Sequence, residues 1–376
     1  MTKIEQDLLA AARAFAVTTV TPRAIEWDRN NSFDHATLRE AAALGLVGLQ
    51  TPVEMGGLGL SFSCKAQLAD ILASADFGFA MSLLNTQNVA HKLSRDAAPD
   101  IAMRYIPALL AGDRLGSTAL TEPHAGSDFA AIKTTAVRNA DGWLINGSKA
   151  WIINTNASDV IIAYAQTEPG AGGAGIASFL IDGQREGFVR AEPFELTAQH
   201  SIGVGGFELR GYQLSDDEML HPAGQAFKAA LHSINGARIY VAAMCCGMVA
   251  SALQVAADYG MRRKTFGRTL GQNQGWRWSL GEADVDLTAA RQMVEHAARM
   301  VDEDQDAQFA AAKTKIFATR MAERHLPALA QLMGAEGLRD CHPFGRHMIG
   351  ARIAGFVDGS TEMLLERLTV RYTKDL

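Results

Sequence analysis

Apolar residues recur at helical spacing from Glu5 to Val17, and again through Asp34–Leu44, Ser63–Ala75, Phe79–His91 and Ile101–Ala111. The first helix should stop before Pro22, because proline disfavours helix at the residue preceding it. A glycine-rich turn, Glu54–Leu60, separates the second and third segments. Residues 1–113 therefore predict an α-helical domain. The pattern changes at Arg114. Short β-type runs follow at Thr134–Arg138, Gly142–Asn146, Val160–Gln166, Ile176–Ile181, Gly187–Arg190 and Phe207–Leu214, with turn residues between them. That spacing predicts a compact, antiparallel, barrel-like β domain over residues 114–222. After Pro222 the helical period returns in long Ala-rich stretches, with Leu287, Ala290, Val294, Ala297 and Val301 on one stripe. Helices over Gln225–Tyr259, Gly271–Arg299, Asp304–Met333 and a last segment ending near Arg371 make a four-helix bundle over residues 223–376. The class is α+β.

A chain of 376 residues exceeds one simple core, which agrees with this division. With 48% apolar and 20% charged residues and a net charge of −6, the composition is that of a soluble globular protein. No basic run favours nucleic acid or an anionic membrane. No signal peptide opens the chain, and no uninterrupted apolar stretch reaches the length of a membrane span. Cys64, Cys245, Cys246 and Cys341 show no metal-ligand spacing, so no metal is expected; reduced thiols in a cytoplasmic protein are. Gly170–Gly175 matches the dinucleotide pattern G-x-G-x-x-G, but a strand-forming run follows it where a helix is required. These glycines read as a hairpin loop.

The chemistry gathers in two stretches. Ala119–Asp128 runs from a strand into a turn, where Gly126 frees the backbone and Ser127 offers a hydroxyl and an amide N–H to an anion or carbonyl. Asn146–Asn154 reads as an Asn-Gly turn feeding a strand that carries Trp151, an indole able to stack on a flat ligand. Their ordered combination, with the helix–sheet–bundle order, resembles the acyl-CoA dehydrogenase family over roughly residues 20–373. The resemblance implies bound FAD. Leu120, Thr121, Gly126 and Ser127 match the flavin and phosphate turn, and Trp151 matches the indole beside the isoalloxazine. Where the family commonly has Thr or Ser reaching flavin N5, this chain has Ile153.

By the same resemblance, a carboxylate removes the α proton of an acyl thioester and flavin N5 takes the β hydride. An α-CH is a very weak acid, so the base must lie beside it and the developing enolate must be stabilised. The family's Glu position, in the segment Phe356–Met363, is occupied by Asp358; the alternative base position is Ala237, which cannot serve. An Asp retracts the carboxylate by ~1.5 Å, a C–C bond length, and a misplacement of about 1 Å can cost on the order of 10²-fold in rate. Nitroalkane oxidase, of the same fold, also has Asp here. Asp358 with its neighbours can instead cap the last helix.

The resemblance further assigns Arg263, Thr265, Phe266 and Gln274 to a neighbouring subunit's FAD, with Arg263 suited to pyrophosphate. Gln331, Gly334, Ser360 and Glu362 complete the cofactor set, although Ala335 replaces a second Gly. This implies a homo-oligomer, dimer or tetramer, that shares FAD across subunits. Ser127, Asn235, Arg238 and Gly359 fall on the substrate side. Ser201–Gly206 lacks the Arg and Ser of the family's thioester loop, so either CoA or an acyl carrier protein can be the carrier. Asn85, Thr86, Gln87, Asn88 and His91 on the acyl-pocket helix favour a short or polar acyl group, if they do not face solvent. His124 is a variant in the signature turn. The expected activity is FAD-dependent α,β-desaturation in fatty acid or secondary metabolism, with electron-transfer flavoprotein as acceptor. Two rivals remain: a nitroalkane-oxidase-like flavoprotein oxidase, and a low-activity flavin-binding partner subunit.

Overall fold

The computed structural model describes residues 1–32, 35–370 and 372. Helix α1 (Lys3–Phe15) is capped by Thr2, whose side chain accepts from the Glu5 N–H while Glu5 answers the Thr2 N–H. The chain does not stop before Pro22. A π-helical turn over Ala16–Val20 passes directly into α2 (Thr21–Asn30), with Pro22 in the first turn of α2. The widened turn accommodates the proline ring, so the helical path continues although Pro22 has no N–H to donate. Helices α3 (His35–Ala43), α4 (Phe62–Ala75), α5 (Phe77–Asp96) and α6 (Pro99–Leu110) complete this part. Asp34, the expected start of α3, lies outside the described residues.

Eight strands form the middle sheet: β1 (Leu115–Ala119), β2 (Thr135–Asn139), β3 (Gly142–Ile152), β4 (Ser158–Gln166), β5 (Ile176–Asp182), β6 (Phe188–Arg190), β7 (Gly205–Leu214) and β8 (Met219–His221). They run in the order β6-β7-β3-β2-β4-β5-β8, with β1 beside β4. Most pairings are antiparallel, but β1 lies parallel to β4, a departure from the purely antiparallel expectation. The glycines at 170–175 close the β4–β5 hairpin, as expected.

Asn146-Gly147 is not a turn. Strand β3 runs unbroken through it, with an irregularity in its pairing to β7 between Ile145 and Gly147. Gly147 has φ +152, and a Cβ there would collide with Thr134. The extra residue at this irregularity lies on β7, opposite Asn146, so β3 itself runs on and Trp151 stands near its far end.

Beyond the sheet, α7 (Ala226–Arg262) leads through a small hairpin, β9 (Lys264–Thr265) and β10 (Arg268–Thr269), to α8 (Gln274–Asp302) and α9 (Gln308–Gln331). The expected last helix is two, α10 (Phe344–Phe356) and α11 (Thr361–Thr369), broken at Asp358-Gly359. Arg371 lies outside the described residues. Contrary to the sequence expectation, α7 is long and apolar enough to cross a membrane, with a mean hydropathy of 1.8. Its apolar window, however, is 72% buried inside the protein, as befits a core helix. One apolar core runs from α1, α4 and α5 into α7–α10, and a second joins α5 and α6 to the β4–β5 face.

Candidate functional site

The signature turn and the Trp151 strand are stitched together by their backbones and by one buried ion pair. The Ala150 N–H donates to the Thr121 carbonyl at 3.1 Å. Lys149 Nζ donates to the Leu120 carbonyl at 3.2 Å and to Glu122 Oε1 at 2.9 Å. Glu122 also accepts from the Lys133 and Thr134 N–H groups at 2.7 and 3.0 Å. Burial pushes the Glu122 carboxyl up, but Lys149 and these N–H donors outweigh it and hold it below the usual range. Neither Glu122 nor Lys149 stood out in the sequence, although their pairing fixes the turn carrying Thr121, Gly126 and Ser127.

Trp151 ends β3 at φ +60, a strained value for a bulky residue, with its ring 4.6 Å from that of Phe194 and 60% of its surface open. The next turn is pinned by Asn154, which donates to the carbonyls of Ser82 and Gly116, both at 3.0 Å. Ile153 sits half-buried there, its carbonyl accepting from Ser117 Oγ at 2.7 Å. An indole held outward on a strained backbone beside an open Gly126-Ser127 rim is a surface suited to a flat, phosphate-bearing group such as FAD.

Asp358 lies in the break between α10 and α11 at φ +56, followed by Gly359 at φ +95. Two buried cations grip this backbone. Arg238 Nε donates to the Asp358 carbonyl at 2.9 Å, and Lys315 Nζ to the Gly359 carbonyl at 2.7 Å. A second Arg238 nitrogen donates to Asn235 Oδ1 at 2.9 Å. Burial raises the Asp358 carboxyl above its ordinary value, while Lys315, Arg238 and Lys92 oppose the rise. Desolvation brings Lys315 down to about 8 against the pull of Asp358. The helix cap is made by Ser360, which accepts from the Met363 N–H at 3.4 Å. Asp358 is not spent on capping.

A cavity of about 710 Å³ opens between α4, α5 and α7, lined in part by Asn235, Ala237, Tyr240, Asn88 and His91. Asp358 and Gly359 do not line it, and the link to their break runs through Arg238, which binds both Asn235 and the Asp358 carbonyl. The Asp358 charge is felt by Tyr240 and Lys92 on its wall. Of the polar run on α5, Asn88 and His91 face this cavity. Thr86 and Gln87 turn into the protein, Thr86 accepting from the Gly116 N–H at 3.2 Å and Gln87 donating to the Leu46 carbonyl. Asn85 Oδ1 is buried, so the run does not face solvent. Desolvation, reinforced by Lys65, brings His91 down to about 4. Lys65, Lys92 and Lys315 escaped the sequence reading because a helical lysine ordinarily marks a solvated face.

The remaining positions are scattered over the outer surface. Arg263 and Phe266 project from the β9–β10 hairpin, with Phe266 fully exposed. Thr265 is partly covered; Gln274, Gln331, Gly334 and Glu362 are exposed. His124 lies 3.6 Å from Glu122 at the rim of the turn. Among the described residues one grouping has metal-ligand proximity, Glu336, Cys341 and His342 within 4.8 Å, where Glu336 already pairs with Arg339 at 2.9 Å.

Comparison with known proteins covers nearly the whole chain. Profiles described as the N-terminal, middle and C-terminal domains of acyl-CoA dehydrogenase match residues 2–113, 117–211 and 224–372. A short-chain-specific acyl-CoA dehydrogenase from Megasphaera elsdenii is 30% identical, covering 97% of each chain. The solved butyryl-CoA dehydrogenase of that organism superposes with a TM-score of 0.93 at 29% identity, over 97% of each chain. A chain from the work on the electron transferring flavoprotein of Acidaminococcus fermentans superposes at 0.95 and 26% identity, covering 100% of this chain and 99% of that one.

Proposed function

The chain belongs to the acyl-CoA dehydrogenase family, and we propose that it desaturates a short or polar acyl thioester between its α and β carbons, with Asp358 as the base. It is an FAD-dependent oxidoreductase acting on CH–CH groups. FAD, once bound, supplies the acceptor for the β hydride. Leu120, Thr121, Gly126, Ser127, Trp151 and Ile153 would hold its ring and phosphates from one protomer; Arg263, Thr265, Phe266 and Gln274 would reach it across a subunit interface; Gln331, Gly334, Ser360 and Glu362 would complete the cofactor set.

The observation carrying the reading is the carboxylate at the α10–α11 break, raised by burial and electrostatically coupled to the walls of the acyl-sized cavity. A base must be ionised yet poised to take a proton, and partial burial against three cations achieves both. Arg238 and Lys315 fix the backbone, so that Asp358 points consistently and its N–H can polarise the thioester carbonyl. Asn235, Ser127 and Gly359 line the approach of the thioester. Electrons leave to an electron-transfer flavoprotein. Anaerobic titration with acyl-CoAs of about three to eight carbons should bleach the flavin band. Oxygen uptake with a nitroalkane and no bleaching by any acyl thioester would instead make it an oxidase.

A further inference from the structure

Lys65 is the most unusual group in the cavity wall. It lies on α4, 1% exposed, and burial brings it down to about 7. Two of the three ammonium N–H bonds go to neutral amides: Gln50 Oε1 at 2.9 Å and Asn88 Oδ1 at 2.6 Å. The third has no hydrogen-bond acceptor, and no carboxylate lies within ion-pair distance, among the described residues. Of the other acids on the cavity wall, Asp96 stands 3.8 Å from His221, Asp306 caps the Gln308 N–H at 3.0 Å, and Asp304 is exposed to solvent; none is within ion-pair distance of Lys65. The charge that bears on Lys65 is another cation, Lys92. An ammonium buried without a counter-ion is costly, and a structural role would ordinarily supply one.

Asn88 links this cation to a second donor. Its amide nitrogen donates to the Tyr240 hydroxyl at 3.0 Å, which leaves the phenolic proton free to point elsewhere. The Lys65 ammonium sits 5.6 Å from the centre of the same ring. One amide therefore holds an N–H and an O–H in common, both on the cavity wall and neither committed to a protein acceptor. Two donors so placed match the two oxygens of a carboxylate. A hydroxyl or keto group would leave the positive charge uncompensated. Tyr240 is one helical turn beyond Ala237, about 4.5 Å along α7, which places the pair within reach of a chain of a few carbons.

We propose that the acyl group ends in a carboxylate bound by Lys65 and Tyr240, so that the substrate class is a short dicarboxylic acid carried as its monothioester. This rests on the acyl-thioester reading of the same cavity. The test uses the FAD-loaded oligomer with succinyl, glutaryl and adipyl thioesters, on CoA and on an acyl carrier protein. Each is paired with the isostere that has an isopropyl group in place of the carboxylate, and Kd is read from perturbation of the flavin spectrum. A charge-assisted pair contributes about 1.5–3 kcal/mol, so the best dicarboxylic thioester should bind about 10- to 100-fold tighter than its isostere. Lys65→Met should erase or invert that preference. Tyr240→Phe, a milder change that leaves the ring in place, should reduce it several-fold and gives the reading if the Lys65 variant fails to load FAD. Equal or tighter binding of the isosteres by the unaltered enzyme, or a preference that survives both substitutions, would overturn the proposal while the dehydrogenase reading stands. Failure of every thioester to perturb or bleach the flavin would overturn both.

Discussion

Replacing Asp358 with Asn changes one charge and almost nothing else, which makes it the sharpest probe of the site. The position has φ +56, a left-handed conformation that Asn tolerates better than other non-glycine residues. The contacts from Arg238 and Lys315 go to backbone carbonyls, at 2.9 and 2.7 Å, and survive the substitution. The lost group is the base alone. General-base catalysis contributes about 10²–10⁴-fold, so the anaerobic bleaching rate should fall by that factor with FAD content unchanged. Stability should move the other way. The Asp358 carboxyl is raised in the folded state, so the native protein holds an extra proton between the unfolded and folded values. Stability falls as pH climbs through that window, and above it the ionised group carries a cost that Asn does not incur. The variant should therefore have a Tm at pH 7.5 no lower than its parent. The bleaching rate of the parent should rise with pH through a value above the ordinary carboxylate range, a limb absent from the variant. Bleaching at the parental rate would remove Asp358 from the chemistry. A substantial fall in Tm would show that the carboxylate is chiefly a structural counter-ion for Lys315 and Arg238.

Two further substitutions probe the cofactor site and its scaffold. Arg263→Ala should shed FAD on gel filtration while the chain stays folded by circular dichroism, since exposed Arg263 has its proposed partner on another subunit's cofactor; full retention would count against the shared site. Lys149→Met leaves Glu122 buried without its cation, and breaking such a pair costs about 3–5 kcal/mol. Urea unfolding at pH 7 should show that loss. The difference should shrink as pH falls through the depressed value of Glu122, where its carboxylate takes up a proton; an unchanged midpoint would mean the pair contributes little.

What the sequence made legible follows from how local each signal is. The order of helical and two-residue periods located the helices and most strands, because burial on one face writes a period into consecutive residues. Trp151 and the Thr121–Ser127 turn stood out as candidates because an indole in a strand, and Gly-Ser in a turn, are signals contained within a few positions. The errors were local signals overruled by tertiary context. Asn146-Gly147 has the composition of a turn, but pairing of β3 with β2 and β7 on both sides keeps the strand running, and the register irregularity opposite it is taken up by an extra residue on β7. Pro22 has the signature of a stop, yet the π turn before it lets the helical path continue.

The interior lysines were illegible for a different reason. Lys65 reaches Gln50, Asn88 and Tyr240 across separations of 15, 23 and, through Asn88, a further 152 residues; Lys315 reaches Gly359 across 44. On their own helices they occupy positions that a lysine usually fills by facing water. Only the packing of α4 against α5 and α7, and of α9 against the α10–α11 break, brings them inside. The two lysines then divide by what they meet. Lys315 feels the negative charge of Asp358 and spends a hydrogen bond on the backbone that presents it, while Lys65 meets only neutral amides and a ring. With the acid beyond the cavity, Asp358, facing Lys315 and Arg238, and the cation on the cavity wall, Lys65, unmatched, the site is polarised, and the molecule that completes it brings the missing negative charge on a part of itself away from the reacting carbon.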